Sequence, residues 1–188
     1  MTRVTLKTFA LDTKAMEFSN SLAMLSEGKA VRAQVRALNH EGKKAFTAVT
    51  RKMAKATSIP VRVIRSELKL HQAWDNNLSV AIHARGRPKP LADFGPKQFK
   101  YGVRAKVWGK SQRFDGAFMV VKFGQNVFKN TGGFNKKSGR HNALEKLYGP
   151  SLPVELLKQE VWDEFEASFH GLPARLAHET ARMIERDA

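Results

Sequence analysis

Cysteine is absent from this chain. That single absence removes disulfides, thiolate nucleophiles and Cys-based zinc sites together. Also missing is any run of about 18 apolar residues, so the sequence offers no membrane span. Arg3 and Lys7 open the chain, but no apolar segment or small-residue cleavage site follows them. A cytosolic site of synthesis, without secretion, is the expectation. The histidines, His40, His71, His83, His141, His170 and His178, show no HExxH or related spacing, and no cofactor is implied. Acids are scarce and scattered. Asp75, Asp93 and Asp115 lie in one region and Asp163 and Glu164 in another. None is spaced from a His as a general base or a two-metal site requires, so the chain is not read as an enzyme.

What is present in excess is positive charge. There are 33 Lys and Arg against 17 Asp and Glu, a formal net charge of +16. The excess is polarised: residues 71–150 carry 15 cations against 4 acids, whereas residues 151–188 carry 4 against 8. A chain this basic attracts polyanions, and its self-repulsion must be offset by counterions, spacing or a partner. The polarity suggests head-to-tail contact between copies, an acidic C-terminal face against a basic neighbour. With 42% hydrophobic residues the chain can still build a core.

Apolar periodicity predicts an α+β fold in one domain of 188 residues: a helical N-terminal third, a central, mainly antiparallel sheet, and C-terminal helices packed on it. Residues 1–74 are read as a helical arm and helices, 75–150 as a β region with long basic loops, and 151–188 as C-terminal helices. A first helix is expected from Thr13 to Leu25. A longer one uses Val31, Val35, Leu38, Phe46, Val49, Met53 and Ala56, with Gly42 and Ala45 filling the gap. Pro60 starts another, with Val61, Ile64 and Leu68 as its apolar side. After Trp74 the period changes to two. Leu78, Val80 and Ile82 alternate with Ser79, Ala81 and His83, and a basic, proline-broken loop is expected over Arg85–Pro90. Tyr101, Val103, Ala105 and Val107 share one strand face, Lys100, Arg104 and Lys106 the other. Gly116–Phe123 is almost continuously apolar and reads as a strand covered on both faces. Asn130–Gly139 reads as a long loop. Ser151 is the expected N-cap of a helix whose face is Leu156, Leu157, Val161, Phe165 and Phe169, with Glu155 in its first turn. Gly171 and Pro173 break it, and a last helix carries Leu176, Thr180, Met183 and Ile184.

Two basic surfaces follow from these elements. Arg32, Arg36, Lys43, Lys44, Arg51, Lys52 and Lys55 lie off the stripe of the long helix, against one acid on the stretch, Glu41. Most charge runs are solvated helix faces, but seven cations against one acid also suit DNA phosphates or an acidic subunit. Lys100, Arg104 and Lys106 form the second set, with Arg113 near its end. Phe99 and Trp108 lie close enough in sequence to offer a stacking platform for single-stranded nucleic acid, although three cations on a solvent face are unremarkable in so basic a chain. Thr131-Gly132-Gly133 with Lys136 and Lys137 lacks the spacing of a P-loop and reads as a loop that orders against a neighbour. His83, a lone strand histidine, reads as structural.

Several motifs stand together in the chain: Arg113-Phe114-Asp115-Gly116-Ala117-Phe118, the turn after Val127-Phe128-Lys129-Asn130-Thr131-Gly132, and Tyr148-Gly149-Pro150-Ser151 before a C-terminal helix. In this order they resemble the tailed-phage (prophage) minor tail protein Z family. Asn130 stands where the family pattern has Arg, and His141-Asn142-Ala143-Leu144 departs from it too. The resemblance implies a structural virion protein. It would complete the head-proximal end of the tail, help join head to tail, and act as a multi-copy ring of six copies. Its partners would be other copies of itself, the tail-tube or tail-terminator protein, the head-connector protein and DNA in the channel. No membrane is implied. The candidate DNA- or lumen-facing residues are then Arg32, Arg36, Lys43, Lys44, Arg51, Lys55, Lys100, Arg104 and Lys106. The candidate inter-subunit residues are Phe128, Lys129, Asn130, Lys136, Lys137, Asp163, Glu164 and Glu166. A stand-alone nucleic-acid-binding protein using the basic helix and strand face is the alternative.

Overall fold

The computed structural model describes residues 2–10, 27–134, 139 and 143–185. The helix expected over Thr13–Leu25, and Lys136 and Lys137, lie outside the described residues. In order, the elements are β1 (Thr2–Ala10), α1 (Glu27–Thr57), α2 (Val61–Glu67), β2 (Leu68–His71), β3 (Ser79–Gly86), β4 (Lys97–Phe99), β5 (Gly102–Val107), β6 (Lys110–Asp115), β7 (Ala117–Val120), β8 (Asn126–Asn130), β9 (Leu144–Lys146), α3 (Leu152–Leu156), α4 (Gln159–Ala167) and α5 (Leu172–Glu185). The α+β expectation holds. The strands form three antiparallel three-stranded sheets, ordered β1-β3-β2, β4-β5-β6 and β7-β8-β9.

Helix α1 organises the fold. Ala33, Ala37, Glu41, Ala45, Val49, Met53 and Thr57 are all buried. They recur at a spacing of four, and such a row inclines to the helix axis, so the buried side turns as the helix advances. The helix packs against α4, α5, α2 and β3, with Ala33 beside Met183 of α5. A Cβ at Gly42 would stand 2.8 Å from Val80 Cγ1, so helix and strand approach this closely only because position 42 has no side chain. The expected stripe shared Ala45, Val49 and Met53 with this row, and its Leu38 is also buried, but it missed Ala33 and Ala37. It also missed Glu41 and the two buried threonines, Thr50 and Thr57, whose hydroxyls donate to the carbonyls of Phe46 and Met53.

Several expectations are corrected at element boundaries. Residues 2–10 are a strand, paired antiparallel with β3 from Thr2↔Gly86 to Ala10↔Ser79. Leu68 is buried but begins β2, not the apolar side of a helix, because α2 ends at Glu67 and the chain extends to pair with β3. Arg85 and Gly86 belong to β3 rather than to the loop. Gly116–Phe123 is not one doubly covered strand: β7 stops at Val120, a 3₁₀ turn follows, and Val121 is 77% exposed. Beyond Pro150 the single expected helix is two, α3 and α4, and Leu157 between them is exposed. Ile184 is exposed as well. Val161, Phe165, Phe169, Leu172 and Leu176 do enter the core. Ser151 is the N-cap of α3, yet its side chain makes no capping bond, and only its carbonyl is used, by the Glu155 N–H at 2.9 Å.

The Tyr148-Gly149-Pro150-Ser151 element is stitched to the proline-broken loop. Lys89 N–H donates to the Pro150 carbonyl at 3.1 Å, Gly149 N–H donates to the Lys89 carbonyl at 2.7 Å, and Leu91 N–H to the Leu147 carbonyl at 3.2 Å. The Phe94 ring lies against Gly149. The motif is thus a fold feature that fixes where α3 begins.

Candidate functional site: two basic faces and an acidic helix

On α1, Arg32, Arg36, Lys43, Lys44, Arg51 and Lys55 are all exposed. Because the buried row rotates along the helix, the cations opposite it rotate too, and together they follow a band over roughly 35 Å of helix. Lys44 donates to buried Glu41 at 3.0 Å, and His40 Nδ1 lies 2.9 Å from the same oxygen. Arg32, Arg36, Lys43, Arg51 and Lys55 have no ion pair among the described residues. Lys52, the seventh cation of the expected face, is half-buried.

The second face is the outer side of sheet β4-β5-β6. Burial along β5 alternates as expected, with Val103, Ala105 and Val107 inside and Arg104 and Lys106 outside. Lys100 is corrected: it lies in the turn between β4 and β5, not on the strand. In its place the register brings in Lys97, which the sequence reading left out, and sets Arg113 directly beside Arg104. Lys97 pairs with Arg104 and Arg104 with Arg113, so three cations stand in one row across the sheet. Beside the row, the Phe99 and Tyr101 rings stack at 5.3 Å, tilted by only 3°. The Arg104 guanidinium lies 5.6 Å from the Phe99 centroid and that of Arg113 3.9 Å from the Tyr101 centroid. Asp115, paired with Arg113, is the acid on this face. Sequence spacing could not show the row, since Lys97 and Arg113 meet Arg104 only through strand register.

The two faces converge at the β5-β6 turn. Val107 pairs with Lys110, leaving Trp108 and Gly109 as a two-residue hairpin with φ of 49° and 73°. Both residues have the positive φ of a type I′ turn, which costs glycine little and tryptophan more. Trp108 is held there by its indole N–H, which donates to Glu155 Oε1 at 3.1 Å, and Gly109 N–H donates to Ser58 Oγ at 3.0 Å. An open cavity of about 320 Å³ results, lined by Lys55 of α1, Lys106 of β5, Ser58, Ile59, Pro60 and Gly109.

The acids are disposed differently. Glu41, Glu155 and Glu179 are buried, each beside a cation: Lys44, Lys158 at 2.7 Å, and Arg175. Helix α4, in contrast, has the sequence QEVWDEFEA, with four acids and no cation. Asp163 and Glu166 are exposed and Glu164 is half-buried, while Val161 and Phe165 fill the inner side. No ion pair engages Glu160, Asp163, Glu164 or Glu166 among the described residues. The other candidates, Phe128, Lys129 and Asn130, lie on β8, the central strand of its sheet. Phe128 and Lys129 pair with both neighbouring strands, whereas Asn130 pairs with β9 alone and its Oδ1 accepts from Gly132 N–H at 2.8 Å.

His83 is not isolated. Its ring lies 4.2 Å from that of His71, centroid to centroid, on the adjacent strand. Among the described residues no group of three or more His, Asp or Glu converges as a metal site, and no helix is long and apolar enough to cross a membrane.

The chain is thus an α+β protein whose acidic and basic surfaces are segregated. The sequence model of the family described as Prophage minor tail protein Z (GPZ) matches residues 15–180. The chain belongs to that family and is a structural minor tail protein of the phage virion. No curated protein and no solved structure matches it.

Proposed function

We propose that this protein completes the head-proximal end of the tail and helps join it to the head, acting as a multi-copy ring rather than as an enzyme. The tail-tube or terminator protein lies on one side of the ring, the head-connector protein on the other, and DNA passes through the channel. Six copies match the sixfold symmetry usual for tail tubes. The observation that carries this reading is the separation of charge: α4 presents acids without a cation, while α1 and sheet β4-β5-β6 present cations almost without acids. Like faces repel, and unlike faces favour the heterologous contacts from which rings close. The test is to change Asp163, Glu164 and Glu166 together to Lys. The fold is expected to survive, because Asp163 and Glu166 are exposed and Glu164 is half-buried, but the variant should not be incorporated into tails. Tails that carry a normal complement of it and still join heads would reduce the acidic helix to a solvated face.

One observation favours a second reading, a stand-alone nucleic-acid-binding protein. Lys55 of the basic helix and Lys106 of the basic strand line the same cavity, so one cation of each set meets there. A steep fall of DNA affinity with salt, measured on the isolated monomer, is the signature of that reading.

A further inference from the structure

The multi-copy reading requires an acceptor for the acidic helix, and the row of cations on sheet β4-β5-β6 has the matching charge, spacing and geometry. We propose that the outer face of this sheet binds the Glu160, Asp163 and Glu164 face of α4 from a second copy of the chain. This inference rests on the ring reading and names its contact.

Consider α4 first. Glu160, Asp163 and Glu164 stand at i, i+3 and i+4, so they share one side of the helix with neighbouring Cβ atoms about 5–6 Å apart. Val161 and Phe165, on the inner side, are buried. Three like charges on one ridge repel, and the helix has no cation to relieve them.

The sheet repeats the situation with the sign reversed. Lys97, Arg104 and Arg113 are direct cross-strand neighbours, with strands roughly 4.8 Å apart. Like charges so placed destabilise an isolated sheet. Three carboxylates and three cations therefore face similar spacings. Each set relieves the other's repulsion on docking; within one copy the row has only Asp115, paired with Arg113, and α4 carries no cation.

The rings decide what kind of anion fits. Phe99 and Tyr101 hold the Arg104 and Arg113 guanidinium groups over their faces, which limits the ordering needed when a partner arrives. An arginine held in this way still offers its planar fork of N–H donors, the geometry that suits a carboxylate. Single-stranded nucleic acid would instead need an open aromatic face for its bases. These rings are stacked on each other and already carry arginines. The surface is thus better fitted to acidic side chains than to bases.

The test uses full-length protein in assembled tails. One variant carries Arg104→Glu and Arg113→Glu, a second carries Glu160→Lys, Asp163→Lys and Glu164→Lys, and a third combines both sets. Circular dichroism confirms that each is folded, and copies per tail are counted by quantitative mass spectrometry. Each separate reversal should lower copies per tail by about tenfold, the effect of losing a modest part of the contact, and the combined variant should recover them. Because the chain has no cysteine, Ser111→Cys with Ala167→Cys adds a direct readout: mild oxidation of tails should give covalent multimers. Several normal copies per tail with no covalent multimers and no recovery would overturn this contact while leaving the ring intact. A single copy per tail would instead overturn the ring. Loss of single-stranded DNA binding by the sheet variant, with unchanged copy number, would assign the surface to nucleic acid and refute the proposal.

Discussion

Trp108 and Glu155 tie the β5-β6 turn to the C-terminal helices: the indole N–H donates to a carboxylate that is only 4% exposed, across 3.1 Å. Lys158 meets the other oxygen of the same carboxylate at 2.7 Å. Removing the donor leaves a buried acceptor short of a partner, which costs about 1–3 kcal/mol. Trp108→Phe keeps the ring but loses the N–H. Its Tm should fall by about 2–4 °C for each kcal/mol lost in a chain of this size, as thermal unfolding followed by circular dichroism can check. An unchanged Tm would show that solvent replaces the bond.

The cap of α3 yields the opposite expectation. From sequence, Ser151→Ala would cost the usual N-cap loss of about 0.5–2 kcal/mol. In the structure the hydroxyl makes no capping bond, and the backbone carbonyl does the work. The substitution should change stability by less than about 0.5 kcal/mol, the range of surface changes that touch nothing important. A larger loss in chemical denaturation would mean that the hydroxyl caps the helix in solution.

Gly42→Ala tests the contact between α1 and β3. Helix propensity alone would favour alanine by about 1 kcal/mol. The new Cβ, however, would stand 2.8 Å from Val80 Cγ1 in the core, and overpacking typically costs about 1–3 kcal/mol. Net destabilisation is expected, and Val80→Ala should restore much of it, a coupling that a double-mutant cycle reads directly.

Arg32, Arg36 and Lys43 can be replaced together by Gln to test the basic helix. They are exposed and unpaired with acids among the described residues, so Tm should barely move. If they meet duplex DNA, each lost phosphate contact should lower the slope of log affinity against log salt by about 0.9. A slope equal to that of the wild type would make this a solvated face.

Periodicity revealed α1, α2, β3 and β5, but not β1 or β2, and it read α3 and α4 as one helix. Steps of three and four up to Thr57 give α1, and steps of two after Trp74 give β3 and β5, because each pattern can bury one side in only one kind of backbone. Composition also gave the polarity of charge, which depends on counting alone. The buried row of α1 was legible only in part, since alanine, threonine and glutamate carry little hydrophobic signal. Glu41 becomes a core residue because His40 and Lys44 stand beside it. The extension from Leu68 onward depended on β3 being available to pair with it, a long-range event that local pattern does not report. The site was divided in the same way. The cations of α1 and β5 could be named from the sequence, since exposure follows from the pattern opposite a buried face. The row of Lys97, Arg104 and Arg113, the guanidinium groups over Phe99 and Tyr101, and the cavity shared by Lys55 and Lys106 were decided by tertiary structure. Strand register and the docking of a hairpin on a helix end set those distances, and they join residues that stand far apart along the chain.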